Sequence, residues 1–255
     1  MKEKKIRISA VSYLNTIPFI YGIDNSGILE GIDLSLDMPA DCAKKLLLGE
    51  VDLGLVPVAI LPQMEEYHII SEYCIGAEGI VDSVALYSDV PLNEIEEVYL
   101  DYQSKTSITL VQVLAEKYWK ISPNWKKASA GFENKIEGTT AGVIIGDRTF
   151  NLSKQYKYKY DLAEEWFKFT GLPFVFACWV SNKELPESFI AKFNAALEGG
   201  VNNIDAAVNQ YDEKAITKAQ LLTYLTEHIS YTLDESKRKA IDTFLGFVAE
   251  KELVK

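Results

Sequence analysis

Up to about Asn182 the chain alternates short apolar runs with amphipathic segments, and that alternation restricts it to an α/β fold. The apolar runs have strand length: Lys5–Ala10, Asp33–Pro39, Leu53–Pro57, Ile69–Ile75, Val81–Tyr87, Glu97–Leu100, Ala141–Ile145 and Phe174–Val180. Between them, apolar residues recur at helical spacing in Ala40–Gly49, Ser107–Trp119, Asp161–Gly171 and Glu187–Glu198. Beyond Asn182 no further strand is expected. Helices are predicted at Ile204–Tyr211, Lys214–His228 and Asp234–Glu252, the last with Asp234 as N-cap and Glu235 in its first turn.

Two apolar runs are longer than the others. "GIVDSVALYS" near residue 83 and "PFVFACWVSN" near residue 178 each extend for ten residues with few polar breaks. Read as a pair of crossing strands, they leave one lobe and return to it, and the section between them is an inserted lobe. The expected division is 1–87 plus 181–255 for a discontinuous first lobe and 88–180 for the second. A chain of 255 residues is long enough for this. Two crossings make a hinge, and the space between the lobes makes a cleft.

Composition narrows what the cleft could hold. The net charge is -11, and no Lys/Arg stripe is interleaved with aromatics, which argues against nucleic acid as a partner. Cys42, Cys74 and Cys178 are far apart with no CxxC or Cys/His pair, so each reads as a small buried apolar residue rather than a zinc ligand or half of a disulfide. No carboxylate cluster suggests a metal, and neither GxGxxG nor GxxxxGK[ST] occurs, so no cofactor is expected. "MKEKKIRISA" has a basic start but no apolar stretch after it, and no run reaches membrane-spanning length; a cytoplasmic protein is expected, with no membrane partner. His68 and His228 lie in apolar surroundings away from the segments described next, so a histidine-based proton shuttle has little support.

Ligands of open α/β sheets bind at the carboxyl ends of strands, often on helix N-termini. Four segments fit that position. In "VSYLNTIPF", Thr16 is a candidate N-cap and Pro18 falls in the first helical turn, leaving Ser12 and Asn15 as surplus polar groups. "VDLGLVPVAIL" is a strand, then Pro57 and a short helix. "LDYQSKTSITL" crowds Ser104, Thr106 and Ser107 at the start of an amphipathic helix, where hydroxyls and free N–H groups suit a carboxylate or phosphate. "AGVIIGDRTF" ends an apolar strand at Gly146, Asp147 and Arg148. Each segment alone also reads as ordinary capping or turn chemistry. Ser83 is less ordinary: a hydroxyl inside an apolar strand needs a partner, in the backbone or in a ligand, or loses about 1–3 kcal/mol.

Taken in order, "VSYLNTIPF", "VDLGLVPVAIL", "GIVDSVALYS", "LDYQSKTSITL", "VIIGDRTF", "YDLAEEWFKFTGLPFVFACW" and "YLTEHISYTL" resemble the chorismate dehydratase family. The resemblance spans nearly the whole chain, and "DLAEEWFKFTGLPFVFACW" is its most specific part. It implies the two-lobed fold of type 2 periplasmic binding proteins, in a cytoplasmic enzyme. It also implies conversion of chorismate to 3-[(1-carboxyvinyl)oxy]benzoate and water, in the futalosine route to menaquinone. On this chain Ser12 and Asn15 would face the substrate from the first lobe, with Ser83 at the hinge. Ser104, Thr106 and Ser107 would hold a substrate carboxylate from the second lobe, and Asp147 matches the family's "IGD". Asn15 and Ser83 are the implied catalytic residues. Two alternatives remain: a non-catalytic cytoplasmic binding protein for a small carboxylate, and the sister enzyme 1,4-dihydroxy-6-naphthoate synthase. Oligomeric state is not legible in the sequence.

Overall fold

The computed structural model describes residues 5–212, 214 and 216–253. The first four residues, on which the basic start was read, lie outside the described residues.

The strands are β1 Ile6–Val11, β2 Ile32–Asp37, β3 Leu53–Pro57, β4 His68–Ala77, β5 Val84–Ser88, β6 Glu97–Leu100, β7 Asn124–Lys127, β8 Thr140–Ile145, β9 Tyr158–Asp161, β10 Phe174–Ser181 and β11 Ser230–Thr232. They form two sheets. The first has the order β11-β4-β10-β3-β1-β2 and the second β7-β6-β8-β5-β9. In the first, β1 runs parallel to β2 and β3, whereas β10 enters antiparallel between β3 and β4. In the second, β6 is parallel to β7 and β8, and β5 is antiparallel to β8 and β9. Both sheets are mixed, as an α/β chain with antiparallel returns requires.

The helices are α1 Ile17–Asn25, α2 Pro39–Leu47, α3 Lys105–Val113, α4 Leu162–Thr170, α5 Glu187–Val201, α6 Ile204–Asn209, α7 Lys218–Thr223 and α8 Glu235–Leu253. α1 and α5 pack with almost no side chain between them. A Cβ on Gly200 would lie 1.8 Å from the Pro18 carbonyl oxygen, and one on Gly22 would lie 2.0 Å from that of Ala196. Glycine at both positions is what lets this close approach occur. Elsewhere the core is aromatic. Trp166 of α4 meets Phe174 of β10 at 5.3 Å and Phe244 of α8 at 6.0 Å, both edge to face.

Several expectations need correction. β11 shows that a strand does return after Asn182; three residues of "SYT" are too few to carry a visible alternation. β7 and β9 were also not expected, because "NWKK" and "YKYD" are polar edge strands without a two-sided apolar signal. The helix expected from Lys214 begins at Lys218, and residue 215 lies outside the described residues. The helix expected over Ser107–Trp119 begins at Lys105 and widens into a π-helix over Leu114–Trp119. A second π-helical turn, Tyr224–His228, continues α7. By strand pairing, the chain leaves the first sheet after Ala77 and returns at Phe174, so β5 pairs in the second sheet and β10 in the first. All three cysteines are buried and unpaired. Among the described residues no helix is long and apolar enough to cross a membrane.

Candidate active site

A cleft lies where loops of the two sheets face each other. Val11, Tyr13 and Asn15 line it from the end of β1, Val81, Ser83 and Val84 from the passage into β5, Ser104 and Ser107 from the start of α3, and Gly146 from the end of β8. Its space, counted with its open mouth, is about 510 Å³. The sequence-predicted residues Asn15, Ser83, Ser104 and Ser107 therefore share one cleft.

The others stand elsewhere. Ser12 and Asp147 line an adjoining cleft that shares Val11 and Tyr13 with the first. The exposed Ser12 hydroxyl lies 3.8 Å from the Met38 sulfur. Asp147 accepts the Leu14 backbone N–H at 3.1 Å, so a carboxylate beyond the second sheet holds a loop of the first. Burial pushes its carboxyl up to about 6, with that one N–H drawing it back. Thr106, fully buried, accepts the Ala59 N–H at 3.2 Å and so bridges α3 to the turn after β3.

At α3 the local chemistry matches the cap reading and leaves something over. Ser104 is the N-cap: its hydroxyl oxygen accepts from the Ser107 N–H at 3.4 Å and from the Ser107 hydroxyl at 3.3 Å. The other N–H groups of the first turn have no partner within the helix, and they point along the positive end of its dipole. At α1 the cap reading fails. Thr16 has helical backbone angles and makes no side-chain cap; its hydroxyl donates to Asn15 Oδ1 at 3.2 Å instead. Pro18 does fall in the first turn.

Tyr13 has no role in the sequence reading of its segment. It lines both clefts, and its hydroxyl donates to Gln103 Oε1 at 2.6 Å. Gly146, at φ +67°, allows this approach, since a Cβ there would stand 2.8 Å from the tyrosine ring. Gln103 is itself held by Arg148 at 2.9 Å. The Arg148 guanidinium also pairs with Asp101 and Glu133, so it is committed to the interior of the second sheet and is not a free anchor for a substrate carboxylate. Lys105 is exposed at the first position of α3.

Ser83 is 2% exposed, and its Oγ lies 2.8 Å from the Tyr224 hydroxyl. Tyr231 adds a hydrogen bond from its hydroxyl to the Asn15 carbonyl at 2.9 Å. The two tyrosines come from the C-terminal segment "YLTEHISYTL", which the sequence reading quoted but gave no role. Neither histidine belongs to this cleft. His68 lies 2.8 Å from Glu66, and His228 is 3.2 Å from the Ile80 carbonyl. Both have polar partners rather than the apolar surroundings expected. Among the described residues no group of His, Cys, Asp and Glu is arranged to hold a metal.

Comparison with known proteins adds the following. The family model for menaquinone biosynthesis matches residues 6–250. A chorismate dehydratase of Thermus thermophilus is 24% identical over 236 residues, covering 85% of this chain and 86% of that protein. A chorismate dehydratase of Campylobacter jejuni is 27% identical over 164 residues, covering 58% of this chain and 74% of that one. The solved structure of the Candida albicans CA3427 gene product, described as having the generic periplasmic binding protein fold, superposes with a TM-score of 0.67 at 11% identity, covering 96% of this chain and 90% of that one. The fold is thus the two-lobed one of periplasmic binding proteins, with a central cleft.

Proposed function

This chain belongs to the menaquinone biosynthesis family, and we propose that within it the protein is a chorismate dehydratase, a hydro-lyase that converts chorismate to 3-[(1-carboxyvinyl)oxy]benzoate and water. We place it in the cytoplasm, in the futalosine route, acting on a small-molecule substrate. The observation that carries the reading is the convergence of Asn15, Ser83, Ser104 and Ser107 on one cleft fed by the N-terminus of α3.

The chemistry asks for little more. Chorismate is a dianion, and the protein as a whole carries a charge of -11. The attraction must therefore be local. Backbone N–H groups and hydroxyls at the start of α3 supply it for one carboxylate. Removing the ring proton and the neighbouring hydroxyl moves the C–H electron pair into the ring as the C–O bond breaks, and an aromatic ring results. Such a reaction needs mainly positioning and stabilisation of developing charge. The cleft offers an amide and hydroxyls for that purpose. In our reading the substrate's own enolpyruvyl carboxylate takes the ring proton, and Asn15 and Ser83 orient it. Ser12 sits at the rim of the adjoining cleft. Asp147 holds the loop that carries Asn15 through the Leu14 N–H.

The test is direct. Pure protein is incubated with chorismate, and the carboxyvinyloxy benzoate is sought by chromatography and mass. Binding without turnover would overturn the enzyme and leave a carboxylate-binding protein. Turnover of the later intermediate alone would favour the naphthoate synthase. Asn15→Ala is expected to lower kcat about 10²-fold, in line with removal of one positioned donor, while ligand still binds; full kcat would remove Asn15 from the mechanism.

A further inference from the structure

The Tyr224 hydroxyl is buried behind Ser83, one of the residues assigned to the substrate, and Tyr224 is not among the residues that line the cleft. Tyr224 is 3% exposed. Its ring stands edge to face against Phe150, 5.0 Å between centroids. It opens the π-helical turn Tyr224–His228 that interrupts the run from α7 to β11. Wide turns of this kind recur where a helix must deliver a side chain to a site.

The hydrogen-bond directions around it can be worked out from donor counts. Among the described residues the Tyr224 hydroxyl makes one hydrogen bond, to Ser83 Oγ. The phenol keeps its own proton, because burial raises its pKa well above the ordinary tyrosine value. That proton needs an acceptor, and Ser83 Oγ stands 2.8 Å away. Ser83 then receives a hydrogen bond from behind, and its own O–H is free to point into the cleft it lines.

We propose that Tyr224 is a positioning residue that fixes Ser83 as a hydrogen-bond donor to the substrate. The contact couples the passage into β5 to the C-terminal segment, 141 positions along the chain. It stores the orientation of a donor before substrate arrives, which is what electrostatic preorganisation requires. The inference rests on the dehydratase reading, since it names the orientation of a group in that same cleft.

The experiment compares wild type, Tyr224→Phe, Ser83→Ala and the double variant for chorismate turnover, with thermal melts alongside. Tyr224→Phe is expected to lower kcat at least about tenfold with KM within about threefold, the pattern of an interaction felt in the transition state. The double variant should be no slower than Ser83→Ala alone, because the phenol acts only through the serine. Phe150→Leu, which removes the ring that seats Tyr224 and leaves its hydroxyl in place, should lower kcat by a smaller factor at unchanged KM. It decides the matter if Tyr224→Phe does not fold. Undiminished kcat in folded Tyr224→Phe, or losses that multiply in the double variant, would overturn this role for Tyr224. No turnover by the wild type would overturn the dehydratase reading and the role of Tyr224 with it.

Discussion

Asp147 makes stability depend on pH in a direction opposite to most paired carboxylates. Its folded pKa is pushed up to about 6, above the ordinary aspartate value, so the folded protein holds that proton more tightly than the unfolded chain does. The resulting cost of ionisation is absent below about pH 4, grows between there and pH 6, and is complete above. Asp147→Asn keeps an oxygen for the Leu14 N–H and removes the charge. We expect it to stabilise the protein by about 1–3 kcal/mol at pH 8 and by nothing measurable at pH 4, read from urea denaturation at the two pH values. A gain that is equal at both would mean the carboxyl titrates normally. This behaviour could not be read from the sequence, where "IGD" signals a turn. The rise comes from burial against the loop of another lobe. The same is true of Tyr13 and Tyr224, which as letters look like packing residues and whose hydroxyls find partners 90 and 141 positions away.

At the scale of elements, α4 is the case where local signal and structure agree most closely. Asp161 was placed at its start, and its carboxylate caps the Ala163 and Glu164 N–H groups, both at 3.1 Å. The same carboxylate reaches across to the Val81 and Asp82 N–H groups, at 3.1 and 2.7 Å. It therefore ties the helix to the passage that brings Ser83 into the cleft. Asp161→Ala removes a cap worth about 1 kcal/mol and strands buried donors at about 1–3 kcal/mol each. A loss of roughly 3–5 kcal/mol is expected, measured by denaturation, against a smaller one for Asp161→Asn. Gly200→Ala belongs to the same scale. With a methyl 1.8 Å from the Pro18 oxygen, α5 must move away from α1, and a lowered Tm with displacement of the Asn15 loop should follow. The strands with strong apolar content, β3, β8 and β10, were legible to within a residue at each end. β7, β9 and β11 were not, because their place in a sheet is set by neighbours rather than by their own alternation. The π-helical turns were likewise invisible, being a packing outcome within an ordinary helical pattern.

For the whole molecule the sequence supplied the class, the two lobes and the convergence of four loops, since these follow from the order of apolar runs and turn chemistry. What it could not supply is how the lobes grip one another. Thr106 was expected on a carboxylate; in the structure its hydroxyl accepts the buried Ala59 N–H from the turn after β3. Thr106→Val would leave that buried donor unpaired at a cost of about 1–3 kcal/mol to the closed form. A larger radius of gyration in solution scattering and a KM raised about 5–100-fold at unchanged kcat are expected; an unaltered radius would show that closure does not use this contact. One further consequence concerns the order in which the molecule can be built. β10 stands between β3 and β4, so the larger sheet has a gap in its middle until residue 181 has emerged from the ribosome. The smaller sheet, whose strands all fall within residues 84–161, is contiguous in the chain and can assemble as soon as it is made. Synthesis thus reverses the numbering of the lobes: the second folds first, the first waits for a strand from beyond it, and the cleft between them is the last part of the protein to exist.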